Sequence, residues 1–215
     1  MRTLAVNTFV SLDGVMQAPG GPEEDPTGGF ALGGWATGYF DEEMLSRIAG
    51  AADPYDLLLG RGTYEIFAAH WPYDEGPTAD QLNNARKHVA STTLDRVDWD
   101  NSTLIAGDVA GYVRELKGQD GPEIQVHGSP GLIQTLLEHD LVDEFRVWIF
   151  PVLLGTGKRL FGEGTMPAAL ELVDSTTSKT GVTVNTYRRA GDIEPGSFEF
   201  EEPTEAELER RRRLA

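Results

Sequence analysis

The chain has 215 residues, no cysteine, and 18 Lys+Arg against 35 Asp+Glu, a formal net charge of −17. That length suits one domain, and an apolar content of 40% is enough to bury a core. Absent thiols exclude disulfides, zinc–thiolate centres, iron–sulfur clusters and cysteine nucleophiles, and the acidic balance disfavours nucleic acid and anionic membranes, whose phosphates repel it.

Thr3 to Val10 is apolar and β-branched and reads as a buried strand running into the turn Ser11-Leu12-Asp13-Gly14. The stretch lacks the basic start and cleavage site of a signal peptide, and no run approaches 18 apolar residues. The expectation is a cytoplasmic protein with no membrane segment. Residues 19–38 hold seven glycines and three prolines, which fits a long loop and neither helix nor central strand. Phe40 to Ala49 reads as a helix with Phe40, Met44, Leu45 and Ile48 on one face and acids in its first turn.

Tyr55 to Leu59 is a second strand, followed by Gly60-Arg61-Gly62-Thr63 and a helix over Tyr64 to Ala69. Residues 70–84 read as loop. Lys87 to Ser91 and Ser102 to Ala106 read as strands, and Asp108 as the N-cap of a helix through Lys117. Glu123 to His127 is a strand, and Gly128-Ser129-Pro130-Gly131 leads into a helix over Leu132 to His139, with Ser129 at the N-cap and Pro130 in the first turn. Asp143 to Val152 is a strand with apolar residues on both faces. Ala169 to Ser178 and Val182 to Arg189 form an antiparallel pair around Lys179-Thr180-Gly181. Strands and helices alternate first and strands pair last. This predicts an α/β fold with a mainly parallel sheet and an antiparallel C-terminal edge. Residues 191–215, with eight acids and four consecutive arginines, read as a charged tail with a short helix at Glu205 to Leu214.

Several motifs fail on inspection. Gly155-Thr-Gly157-Lys158-Arg159 lacks the glycine of a Walker A loop, where Val152 stands, and its Ser/Thr, where Arg159 stands. His127-Gly-Ser129-Pro-Gly131 misses the first glycine of a nucleophile elbow, leaving a serine hydrolase as a weak alternative. The histidines at 70, 88, 127 and 139 have no metal-ligand spacing.

Two strand-to-helix junctions survive, Leu59-Gly60-Arg61-Gly62-Thr63 and Val126-His127-Gly128-Ser129-Pro130. Each puts small or hydroxyl residues where a helix start emerges beyond a strand's carboxyl end. Such starts offer free N–H groups and partial positive charge to anions, and ligands of open α/β sheets bind at that edge. Two such cradles suit a dinucleotide diphosphate. Arg61 adds fixed charge and Ser91-Thr92-Thr93 adds hydroxyls.

Taken in order, these pieces resemble the dihydrofolate reductase superfamily, and within it the branch of the C-terminal reductase domain of the bifunctional riboflavin-biosynthesis enzyme. The resemblance rests on Ser11-Leu12-Asp13-Gly14, Leu59-Gly60-Arg61-x-Thr63-Tyr64 and Val126-His127-Gly128-Ser129-Pro130. It also rests on Leu141-Val-Asp-Glu-Phe-Arg146 leading to Phe150-Pro-Val-Leu-Leu-Gly155-x-Gly157-Lys-Arg-Leu-Phe161, and it spans residues 3–189. It implies a three-layer reductase domain over 1–190, with NADPH as cofactor and a small-molecule substrate. Gly60, Arg61, Gly62 and Thr63 would hold the diphosphate and adenosine part. Ser91 and Thr92 would stand by the 2′-phosphate. Gly128, Ser129, Pro130, Gly131 and Leu132 would stand by the nicotinamide and diphosphate. The backbone near Phe9, Val15, Met16 and Gln17 would contact the nicotinamide carboxamide.

The same resemblance makes Asp41 the first candidate for a proton donor and Asp13 the second. It makes residues 19–38 a lid, longer than the folate enzymes use, over a pocket to which Trp35, Tyr39 and Phe67 could contribute. No deaminase segment or zinc signature is seen, so a complete bifunctional riboflavin enzyme is not expected. A homodimer fits this branch, and Trp148 with Phe150 gives one strand apolar surface on its second face. The reading is an NADPH-dependent reductase of a pterin- or aminopyrimidine-like carbonyl or imine. The alternative is an NADP(H)-binding sensor without turnover.

Overall fold

The apolar run after Thr3 forms strand β1 (Leu4–Ser11), buried along most of its length because helices and loops cover both its faces. In this computed structural model, which describes residues 1–49, 53–163, 165–198 and 202–214, β1 joins β2 (Tyr55–Gly60), β3 (Lys87–Ala90), β4 (Ser102–Ile105), β5 (Glu123–Val126), β6 (Glu144–Phe150), β7 (Leu170–Thr177) and β8 (Thr183–Arg189). They form one eight-stranded sheet in the order β4-β3-β2-β5-β1-β6-β8-β7. Pairings from β4 to β6 are parallel, and β6–β8 and β8–β7 are antiparallel. The fold is therefore the expected α/β sheet with an antiparallel C-terminal edge.

The helices are α1 (Glu42–Ala49), α2 (Arg61–Ala68), α3 (Pro77–Asn84), α4 (Val109–Gly118), α5 (Pro130–Glu138) and α6 (Glu205–Leu214). On one sheet face Leu4, Val6, Ile124, Val126, Phe145 and Val147 pack with Val113 and Leu116 of α4 and with Ile133 and Leu136 of α5. Two separate clusters cover the other face. Over β2 and β3 lie α2 and α3, with Tyr55, Leu57, Leu59, Tyr64, Leu82 and Trp99. Over β6 lie α1 and the end of the Gly/Pro-rich segment, with Ala36, Met44, Trp148 and Phe150. Between these clusters the central strands β1 and β5 carry polar residues.

Several expectations need correction. Residues 70–84 are not loop: Trp71–Tyr73 is a 3-10 turn and Pro77–Asn84 is helix. Only Ala79 and Leu82 of α3 are buried, so it shows almost no apolar period. Helix α2 begins at Arg61, directly after the strand, with Gly60 as its cap. Leu45 of α1 faces solvent, while Met44 is buried. Trp148 and Phe150, offered as a self-association surface, are covered by this chain. Phe150 meets Phe9, Trp35, Tyr39 and Phe40 at ring separations of 5.3–6.0 Å, so these two residues give no argument for a homodimer.

The segment expected as a lid is anchored on Gln17 in this conformation. Trp35 Nε1 donates to the Gln17 carbonyl at 2.8 Å, and Gln17 Nε2 donates to the carbonyls of Asp25 and Thr27. Phe30 packs on Val15 and Ala18. Asp108 caps α4 as expected, accepting from Gly111 N at 2.9 Å. In α6 Glu207 pairs with Arg210 and Arg211, and Glu209 with Arg213, with no buried residue in the helix. Among the described residues, no helix is long and apolar enough to cross a membrane.

Candidate functional site

Sheet order decides the site. β5 inserts between β2 and β1, so the junction after β2 and the junction after β5 end side by side. Gly60 N donates to the Gly128 carbonyl at 3.2 Å. Ser129 Oγ accepts from Thr63 N at 3.2 Å and lies 3.2 Å from Thr63 Oγ1. Ser129 occupies the N-cap position of α5, but its side chain makes no cap bond and instead ties α5 to α2. The Gly128–Ser129 peptide is cis.

Glycine is required at this seam by contact. A Cβ on Gly60 would stand 2.6 Å from Ser129 Oγ and 3.1 Å from its nitrogen. A Cβ on Gly128, at φ +151°, would collide with Thr63 Oγ1. The outer face of the seam is an open cleft of about 350 Å³. It is lined by Gly60, Arg61, Gly62, Ala90, Ser91, Thr92, Thr93, Val109, Ser129, Gly131, Leu132 and Thr135. No carboxylate is among them, in a chain of net charge −17. Three helices, α2, α4 and α5, contribute residues of their first turns. First-turn N–H groups favour an anion there, apart from Gly111 N, which Asp108 caps, and Thr63 N, which Ser129 accepts. Arg61 is half exposed, with Nε on Glu65 at 2.9 Å and NH1 on Thr93 Oγ1 at 2.6 Å, so the guanidinium is held across the cleft edge. Ser91 Oγ accepts from the nitrogens of Thr93 and Leu94, which shapes the turn after β3.

The cleft thus gathers Gly60, Arg61, Gly62, Ser91, Thr92, Ser129, Gly131 and Leu132 of the expected set, with Thr63, Gly128 and Pro130 immediately behind it. Phe9, Met16 and Gln17 do not line it. Phe9 packs on Phe40 and Trp148. Met16 lies in the core under α4 and α5. Gln17 spends its side chain on Asp25, Thr27 and Lys158. Ala90, Val109 and Thr135 were missed. The Asp108 cap was the available signal for Val109, since a cap following a parallel strand marks another helix start at the same edge.

The carboxylates sit elsewhere. Asp41 Oδ1 accepts from Met44 N at 2.9 Å and Oδ2 from Lys179 N at 3.1 Å, so it caps α1 and fastens it to the β7–β8 turn. Asp13 accepts from Ser11 Oγ, Leu154 N and Gly155 N. The Ser11 hydroxyl foremost, with those backbone donors, holds its carboxyl down to about 2. The Gly155–Lys158 stretch is the partner of that turn: Met16 N donates to the Lys158 carbonyl, and a Cβ on Gly157 would stand 2.6 Å from Val15 Cγ1. Trp35 and Tyr39 pack on Phe150, and Phe67 packs against Trp71 and His127. Ser129 Oγ bonds only to Thr63, and His127 Nε2 to Gln125, so the described side chains form no Ser–His pair and the hydrolase alternative falls. Among the described residues no cluster could hold a metal ion.

A family model for the RibD C-terminal domain matches residues 2–184. The chain belongs to that family. An uncharacterised Bacillus subtilis protein, YyaP, is 28% identical over 199 residues, 88% of this chain and 96% of its own. A putative riboflavin biosynthesis protein from Shewanella sp. PV-4 has a TM-score of 0.62 at 23% identity, over 87% of this chain and 98% of that one. Dihydrofolate reductase from Enterococcus faecalis, in complex with NADP(H), has a TM-score of 0.56 at 16% identity, over 87% and 96%. The RibD C-terminal domain here therefore has the dihydrofolate-reductase-like, reductase-type fold that its strand order describes. The family match ends at residue 184, short of α6.

Proposed function

We propose that the protein is an NADPH-dependent reductase acting on a small heterocycle with a reducible carbonyl or imine, of the pterin or aminopyrimidine kind. The observation that carries this reading is the carboxylate-free cleft at three helix starts in an otherwise acidic chain. Its residues fit the cofactor. Gly62 leaves the start of α2 open to a diphosphate, and the first turns of α2 and α5 supply N–H donors. Arg61, Ser91, Thr92 and Thr93 supply the charge and hydroxyls for a 2′-phosphate. The bound cofactor would supply hydride, while the chain binds, orients and excludes competing water. Family membership supports the reading, as does the NADP(H) complex of the Enterococcus enzyme that shares the fold.

Neither candidate acid carries the proposal. Asp13, held at about 2, stays ionised at neutral pH and has no proton to donate. Both oxygens of Asp41 accept backbone N–H groups. This favours, as the second reading, a protein that binds NADP(H) without turning it over. The test is the decay of NADPH absorbance with purified protein across a panel of pterins and aminopyrimidines. Turnover that survives Asp13→Asn and Asp41→Asn is expected. Saturable binding of NADPH with no oxidation on any substrate would select the second reading.

A further inference from the structure

One carboxylate stands beside the cleft without lining it. Helix α2 opens on Arg61, and Glu65 follows one turn later on the same helix face. Glu65 Oε1 accepts from Arg61 Nε at 2.9 Å, with both side chains about half exposed. The cleft lining includes Arg61 but not Glu65.

As a helix support this pair is badly placed. The start of a helix carries partial positive charge, which disfavours a cation at the first residue and favours an acid in the first turn. Here the first turn holds no acid, and the pair runs cation first and anion second, the weaker of the two orders. An exposed ion pair contributes little to stability in either order. The carboxylate also lowers the positive potential of a cleft that suits an anion, in a chain of net charge −17. Neither fold stability nor attraction of an anion accounts for it.

Orientation does. A free arginine side chain has many rotamers, and immobilising it costs binding energy. Glu65 fixes the guanidinium at Nε. Thr93 fixes its far side, where NH1 donates to Oγ1 at 2.6 Å. Thr93 is itself held, because its nitrogen and that of Leu94 donate to Oγ of the buried Ser91 at 3.1 and 3.0 Å. The guanidinium therefore spans from the start of α2 to the turn after β3. Its remaining N–H groups have no partner among the described residues and are left for a ligand.

We propose that Glu65 is a positioning residue for cofactor discrimination. With Thr93 it braces Arg61 so that the guanidinium meets the 2′-phosphate, the group that separates NADPH from NADH. Glu65 touches no ligand and acts through Arg61. Its charge weakens attraction for both nucleotides, and its hydrogen bond orients Arg61 toward one of them. This rests on the reductase reading and specifies how its site tells the two nucleotides apart.

The test is a calorimetric titration of NADPH and of NADH at one fixed ionic strength, read as the ratio of the two affinities. The proteins are wild type, Glu65→Ala, Glu65→Gln, Arg61→Ala and the double variant Arg61→Ala/Glu65→Ala. NADPH carries more negative charge than NADH, so removing a residue that acted only by its charge would raise the ratio in both Glu65 variants. A brace predicts the opposite sign: Glu65→Ala lowers the ratio by about threefold, the scale of one exposed ion pair. Glu65→Gln keeps an acceptor for Arg61 Nε and should restore most of that loss. In the Arg61→Ala background Glu65→Ala should no longer lower the ratio. Melting temperatures of both Glu65 variants should stay close to wild type, because the pair is exposed. A ratio unchanged or raised in Glu65→Ala, a loss that Glu65→Gln leaves unrepaired, the same loss without Arg61, or a large fall in melting temperature overturns the brace alone. A wild type that binds neither nucleotide, or both equally, overturns the brace together with the NADPH reading it rests on.

Discussion

Single atoms decide the seam between the two helix starts. Gly60 has φ −77°, which any residue adopts, so its glycine is demanded by the approach of Ser129 alone. Gly60→Ala should therefore force Ser129 aside. Overpacking of this kind costs about 1–3 kcal/mol, or a fall in Tm of roughly 2–4 °C per kcal/mol at this size, and NADPH affinity should fall with it. Arg61→Ala removes the cleft's one cationic side chain among its described lining. Its predicted effect on NADPH affinity exceeds that of Asp41→Asn, whose amide oxygen can still cap α1. A direct titration of both variants checks this. Glycines and hydroxyls after apolar strands were legible in the sequence as an anion cradle. That Ser129 would turn sideways to Thr63, rather than cap its own helix, was not, because the partner lies 66 residues away.

At the scale of elements, the turn after β1 and the Gly155–Lys158 stretch hold each other. Asp13 bonds to Leu154 N and Gly155 N, Leu160 N donates to the Gly14 carbonyl, and Val15 bridges to Arg159. A carboxyl lowered from 3.8 to about 2 on folding contributes stability that is present above about pH 4. That contribution is lost as pH falls from 4 toward 2. Asp13→Asn should be less stable than wild type at pH 7, and its melting temperature should fall less steeply between pH 4 and pH 2. Parallel slopes for the two proteins would contradict the assignment. The sequence motif at 150–161 was legible as a family mark, and its physical role, packing beneath residues 13–17, needed the tertiary contacts. Helix α3 was invisible because its Pro77-Thr-Ala-Asp-Gln-Leu-Asn-Asn segment buries only two residues. The strands, by contrast, were readable to within two residues because their short apolar or alternating runs are bounded by Gly, Pro, Asp and Ser turn signals.

Across the whole molecule, connectivity builds the site. No local pattern states that β5 lies between β2 and β1, yet that order alone brings residues 60–63 and 128–132 together. The net charge of −17 sets the electrostatic problem for a cofactor with several phosphates. The fold answers it locally, by keeping every carboxylate out of the lining residues while three helix starts converge there. Arg210 to Arg213, the densest positive run in the chain, takes no part in that cleft, and the described pairs of Arg210, Arg211 and Arg213 are with Glu207 and Glu209 of their own helix. The measurement that bears most directly on this account is a calorimetric titration of the intact protein with NADPH and with NADH. A cleft with Arg61 and the Ser91-Thr92-Thr93 hydroxyls at its edge should bind NADPH at least tenfold more tightly than NADH, a difference of about 1.4 kcal/mol. Failure to bind either nucleotide, or equal affinity for both, would contradict it.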